Sequence, residues 1–112
     1  MNNLEICKKI AEIKKIMPRV FNDALITNIG EFDLFNVSRT HRANKHARYV
    51  LDLMLEFKVC ICHYTSTVYI LSDHTEFQYK AQVSFNNNDE LSFRRAILLS
   101  IIEANKINKA NK

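Results

Sequence analysis

The stretch from Asn88 to Lys106 places the tightest constraint on this chain. Between Ala96 and Ile102 every residue is apolar except Ser100. At helical spacing those side chains point in almost every direction, so a helix here must be covered on several sides. It is too short to cross a bilayer and is bounded by charge, which makes it a buried core helix. Asn87 followed by Glu90 reads as its start, since a side-chain oxygen can satisfy the first free N–H groups. The rest of the chain is then the cover for this helix.

Two further helices are legible. Ile6, Cys7, Ile10, Ile13 and Met17 recur at helical spacing behind an Asn2–Glu5 cap pair, with Lys8, Lys9, Lys14 and Lys15 largely opposite. This predicts a helix over 3–17, ended by Pro18. After a loop at 36–40, with Ser38 or Thr40 able to cap, a second amphipathic helix is expected over 41–57. Its buried face would carry Ala43, Ala47, Val50, Leu51, Met54 and Phe57. Arg42, Lys45, Arg48, Asp52 and Glu56 would face water.

Strand signals fill the intervals. Ala24–Thr27 and Phe32–Phe35 suggest a small hairpin around Gly30, a residue free to adopt positive φ. Segments 59–64 and 67–71 are rich in β-formers, and 72–75 has turn chemistry. In 76–85, Phe77, Tyr79, Ala81, Val83 and Phe85 alternate strictly with polar residues, as in an antiparallel strand with one wet face. The expected class is α+β. A small antiparallel sheet of about four strands packs with three helices in the order α-β-β-α-β-β-α, and the C-terminal helix is central. With 112 residues, one Gly and one Pro, the chain reads as a single domain over 1–112, frayed at 1–2 and 107–112. There is no signal-peptide core and no bilayer-length apolar run, which implies a cytoplasmic address.

Chemistry is harder to find. The three cysteines are an odd number and argue against a disulfide framework. Cys60 and Cys62 lie two apart with His63 next, but a metal site needs about four converging ligands. Neither metal nor cofactor is expected. No phosphate-binding loop, metalloprotease motif or nucleophile elbow occurs, and the four histidines are scattered, so no catalytic residues are expected and an enzyme is not.

Charge distribution is more informative than the net +4. Arg39, His41, Arg42, Lys45, His46 and Arg48, with Tyr49 beside them, form a run without an acid between Asp33 and Asp52. The cations crowd the positive end of the helix dipole, and Asp52 and Glu56 lie toward the negative end. Each placement opposes helix stability by about 0.3–1 kcal/mol; pairing of Lys45 or Arg48 with Asp52 would recover part. Such a conflict marks a candidate binding surface. It would suit an acidic protein patch, a nucleic-acid-binding site on another protein, or nucleic acid directly through weak, salt-sensitive phosphate contacts.

Several segments carry a family resemblance: Asn3–Glu12, Leu34-Phe35-Asn36, Leu53-Met54-Leu55-Glu56-Phe57-Lys58-Val59, and Phe93–Ala104. Together they resemble the small NinX-like accessory proteins of tailed phages and prophages. Those proteins usually continue the Phe-Asn step with proline and open the next helix with acids, where this chain has Val37 and the basic run. The resemblance implies a phage accessory setting and no catalytic residues. It further implies a stoichiometric binder that inhibits a host protein or protein–nucleic-acid complex, of the anti-CRISPR or another anti-defence type. A nucleic-acid-binding accessory protein is the alternative.

Overall fold

The computed structural model describes residues 2–16, 19–21, 24–27, 30–35, 41–72, 75–86 and 89–110. Of residues 21, 24, 30, 31, 41–44, 72, 75–79 and 107–110 it describes the backbone alone. The chain is α+β. In order it forms α1 (Asn3–Ile13), β1 (Arg19–Phe21), β2 (Ala24–Thr27), β3 (Gly30–Glu31), α2 (His41–Glu56), β4 (Cys60–Cys62), β5 (Thr67–Ser72), β6 (Thr75–Ser84) and α3 (Glu90–Ala110). Helices thus alternate with antiparallel strands as the sequence leads one to expect. The strands, however, form two three-stranded sheets, β1-β2-β3 and β4-β5-β6.

The apolar run of α3 does become the centre of the core. Ala96, Ile97, Leu98, Ile101, Ile102 and Ala104 are buried, and Leu99 packs on them. Buried Ser100 is compatible with this setting because its hydroxyl donates to the Ile97 carbonyl one turn back, at 2.7 Å. The helix lies against β5, β6, α1 and α2. Its N-cap is Asp89, whose carboxylate accepts from the Ser92 N–H at 2.7 Å. Asn87, the cap read from the sequence, lies outside the described residues. The helix also runs on to Ala110, past Lys106, where the stretch read from the sequence ends.

In α1 the Asn2 side chain caps as expected, accepting from the Glu5 N–H at 2.8 Å. Ile6, Cys7, Ile10 and Ala11 form the buried stripe. The helix stops at Ile13, short of the expected Met17. Lys15 takes a left-handed conformation, φ 58°. Its N–H donates to the Glu12 carbonyl at 3.1 Å and that of Ile16 to the Ala11 carbonyl at 2.8 Å, the two bonds of a Schellman ending. Helix α2 ends in the same way. Lys58 sits at φ 55°, the Lys58 N–H donates to Leu55 and the Val59 N–H to Met54. In both cases a lysine occupies the position that glycine prefers, and an apolar residue follows that packs into the core, Ile16 or Val59.

The first sheet differs from its expected form. The strand after Gly30 is Gly30–Glu31, paired Thr27↔Gly30 and Ile26↔Glu31, and Leu34 and Phe35 form a turn instead of a strand. Phe32, Leu34 and Phe35 are buried in that turn. An additional strand, Arg19–Phe21, pairs with β2 on the other side. The turn residues 28–29 lie outside the described residues.

In the second sheet β4 and β6 flank β5. Ala81 and Phe85 face the core while Gln82 and Ser84 are exposed, which follows the alternation of the sequence. The alternation is interrupted at Lys80. Ile70 pairs with Ala81 but Leu71 pairs with Tyr79, so Lys80 is an extra residue in a bulge. The turn residues Asp73 and His74 lie outside the described residues.

Candidate functional site

Helix α2 carries the basic run, and its buried face decides which residues reach solvent. Val50 and Leu53 are buried, and Tyr49, Met54 and Phe57 pack against the core. These positions follow the i, i+3, i+4, i+7 stripe of a helix packed on one side. Leu51, expected in that stripe, lies outside it and is 54% exposed. Leu55, one turn further, is 70% exposed. Two leucines at i, i+4 therefore stand side by side on the solvent face.

The sequence-derived binding residues divide into three groups. Arg39 lies outside the described residues, as do Ser38 and Thr40. His41 and Arg42 form the first turn of α2, with their backbone alone described. Lys45 and Arg48 are exposed, and His46 and Tyr49 are half-buried. The Tyr49 ring meets Phe32 edge-on with centroids 5.4 Å apart. Burial pushes its hydroxyl above the ordinary phenol pKa, with smaller contributions from Glu56 and Asp52. Tyr49 is thus part of the packing between α2 and the Phe32–Phe35 turn.

Among the described residues, the acids of α2 form no ion pair with its cations. Glu56 forms an ion pair with Lys14 at the end of α1. Among the described residues, neither Lys45 nor Arg48 forms an ion pair with Asp52, contrary to the expected compensation. Arg48 precedes Asp52 by four residues, the less favourable orientation for such a pair. The exposed face consists of two stripes. One runs Lys45, Asp52, Glu56, at i, i+7 and i+11. The other runs Arg48, Leu51, Leu55, at i, i+3 and i+7. The second sets the exposed Arg48 beside exposed apolar surface, a pairing the sequence shows only once the helix phase is known.

The cysteines have different surroundings. Cys7 is buried in α1, and burial pushes its thiol up to about 11. Cys60 and Cys62 are half-buried on β4. The Thr65 side chain and backbone, with the Tyr64 backbone, hold the Cys62 thiol below its ordinary value. His63 meets Phe93 edge-on at 5.5 Å, and Tyr64 at the hairpin tip is 98% exposed. No group of three or more His, Cys, Asp or Glu that could hold a metal occurs among the described residues. No helix of the described residues is long and apolar enough to cross a membrane.

A second feature escaped the sequence reading. Arg94, in the second turn of α3, is only 5% exposed. One guanidinium nitrogen donates to the Leu34 carbonyl at 3.1 Å and another to Glu90 at 2.6 Å. It fastens the Phe32–Phe35 turn, and through Phe32 the base of Tyr49, to the central helix. No protein-family model, curated protein or solved structure matches this chain.

Proposed function

We propose that this protein is a non-enzymatic accessory protein of phage or prophage type that binds a host protein complex and inhibits it. The class is anti-CRISPR or another anti-defence inhibitor acting in the host cytoplasm. The phage setting comes from the NinX-like segments described above. The binding surface is the exposed face of α2, with Lys45 and Arg48 at its centre and Arg39, His41, Arg42 and His46 toward the helix start.

One observation carries the choice of a protein partner. The exposed cation Arg48 stands beside exposed Leu51 and Leu55. Phosphate contacts make no use of leucine side chains, whereas burying two of them against another protein is favourable by about 1.5–3 kcal/mol each. Direct nucleic-acid binding is the second reading, favoured by the acid-free run from Arg39 to Arg48.

The two readings separate in host-lysate capture with and without nuclease, using the parent protein and an Arg42→Glu/Lys45→Glu/Arg48→Glu variant. A protein held by the parent after nuclease and lost by the variant supports inhibition of a host complex. Loss of all captured material on nuclease treatment supports the nucleic-acid reading. Equal capture by parent and variant rejects this face of α2.

A further inference from the structure

We infer that the Phe32–Phe35 turn is the mount of α2, so that Arg94 and Cys7, neither of them on α2, are positioning residues for its exposed face. That the face so placed binds a partner is the reading given above; the mount itself does not depend on it.

Leu34, wholly buried within the turn, is gripped from two helices. Its carbonyl accepts from the Arg94 guanidinium of α3 at 3.1 Å. Its backbone also bonds the Cys7 thiol of α1 in the sense that favours the thiolate, so the Leu34 N–H is the donor there. Two further bonds fix the ends of the turn. The Phe32 N–H donates to the Leu25 carbonyl of β2 at 2.8 Å, and the Phe35 N–H to the Asp33 carboxylate at 3.1 Å. The turn is thereby tied to α1, β2 and α3 at once. A buried backbone paired at both N–H and C=O is held in one arrangement.

Phe32 transmits that arrangement to α2. Its ring meets Tyr49 edge-on with centroids 5.4 Å apart, a contact whose strength depends on angle as well as distance. Tyr49 follows Arg48 directly, and among the described apolar residues of α2 packed on the core it stands nearest the basic turn. Toward the other end of α2, the Glu56–Lys14 ion pair ties the helix to α1. A helix held at two points along its length has its rotation fixed. That rotation is what turns Lys45, Arg48, Leu51 and Leu55 to solvent. Releasing Leu34 lets Phe32 shift, and α2 shifts with it.

The test is NMR of the full chain carrying ring-13C tyrosine, with the Tyr49 signal identified by its loss in Tyr49→Phe. Arg94→Met should move the Tyr49 signal toward that of exposed Tyr64 and leave Tyr69, in the second sheet, in place. Cys7→Ala should move it in the same direction by less. Ile97→Ala, a core change that also lowers stability, should leave the Tyr49 signal where it is, which separates positioning from destabilisation. A folded Arg94→Met protein with Tyr49 unmoved overturns the proposal, and so does equal movement in Ile97→Ala. Where Arg94→Met does not fold, Arg94→Lys, which keeps charge and stem but loses the planar fork, is read by the same two criteria. Lysate capture divides the mount from the function. A moved Tyr49 with unchanged capture leaves the mount standing and rejects α2 as the binding face. An unmoved Tyr49, with capture lost on charge reversal of α2, leaves the binding face standing and rejects the mount.

Discussion

Replacing Arg94 with methionine isolates the role of a buried cation in holding the fold. Methionine keeps an unbranched apolar stem of similar reach, so the change removes the guanidinium with little loss of packing. The interactions with Leu34 and Glu90 go with it. The bond to the Leu34 carbonyl, 3.1 Å in a buried setting, joins a charged donor to a neutral acceptor, and such bonds contribute about 1.5–3 kcal/mol. The bond to Glu90 is short, but the Glu90 side chain is 60% exposed. Solvent screening limits that pair to about 0.5–1 kcal/mol. The expected loss is about 2–4 kcal/mol, a large part of the roughly 5–15 kcal/mol that holds a domain of this size. In urea, with a slope of about 2 kcal/mol per molar, the midpoint should fall by about 1–2 M at unchanged slope. Glu90→Gln provides the internal scale and should cost less than about 1 kcal/mol. A midpoint for Arg94→Met within about 0.3 M of the parent would refute the assignment of Arg94 as a structural clamp. Equal losses for Arg94→Met and Glu90→Gln would instead place the energy in the surface pair.

The core run offers a second check. Ile97→Ala or Ile101→Ala should destabilise by about 2–5 kcal/mol, read as a lowered denaturation midpoint. Lys15→Gly relieves a left-handed lysine and should raise stability by about 0.5–1 kcal/mol in the same assay, whereas Lys15→Ala should not. The melting temperature should be the same with and without chelator, and with and without reductant; a fall with chelator would point to Cys60, Cys62 and His63. Cys7 has its thiol pushed up from about 9 to about 11, so the unfolded chain loses this proton before the folded one does. Its contribution is full below pH 9 and is lost as pH rises toward 11, at up to about 1.4 kcal/mol per pH unit. Urea titrations of parent and Cys7→Ala at increasing pH should diverge in slope there, and equal slopes would remove Cys7 from the linkage. Iodoacetamide should label Cys62 before Cys7 in the native protein.

The elements whose sequence signal is long and periodic came through nearly unchanged. The apolar run of α3 and the β5–β6 hairpin are of this kind. Each departure has a local cause. Arg19–Phe21 is too short to show alternation, and becomes a strand because β2 offers it an edge. The Phe32–Phe35 segment looks like a strand because it is apolar, yet it buries those side chains through a turn. Over 41–57 apolar residues occur at 43, 47, 49, 50, 51, 53, 54, 55 and 57, so periodicity leaves the phase of the helix open. Tertiary contacts with Phe32 and α3 select Tyr49, Val50 and Leu53, and that choice exposes Leu51 and Leu55. The basic residues at 45 and 48 were legible as a surface, because charge alone places them there. Arg94 was not, since an arginine in an early helical turn reads as a surface cation until a buried carbonyl is found opposite it.

The placement of α3 against α1 has a consequence for biosynthesis. Ile10 and Ile101 belong to one core but are made about 90 residues apart, an interval of roughly 5–18 s at ordinary translation rates. Throughout that interval the apolar stripe of α1 exists without the helix that covers it, and toward its end so does the inner face of the second sheet. Local pieces such as the β4–β5 hairpin can form on the ribosome. The core closes in one late step, once α3 has emerged. A nascent chain stalled before residue 96 should therefore engage hydrophobic-binding chaperones, and one released past Ile102 should not.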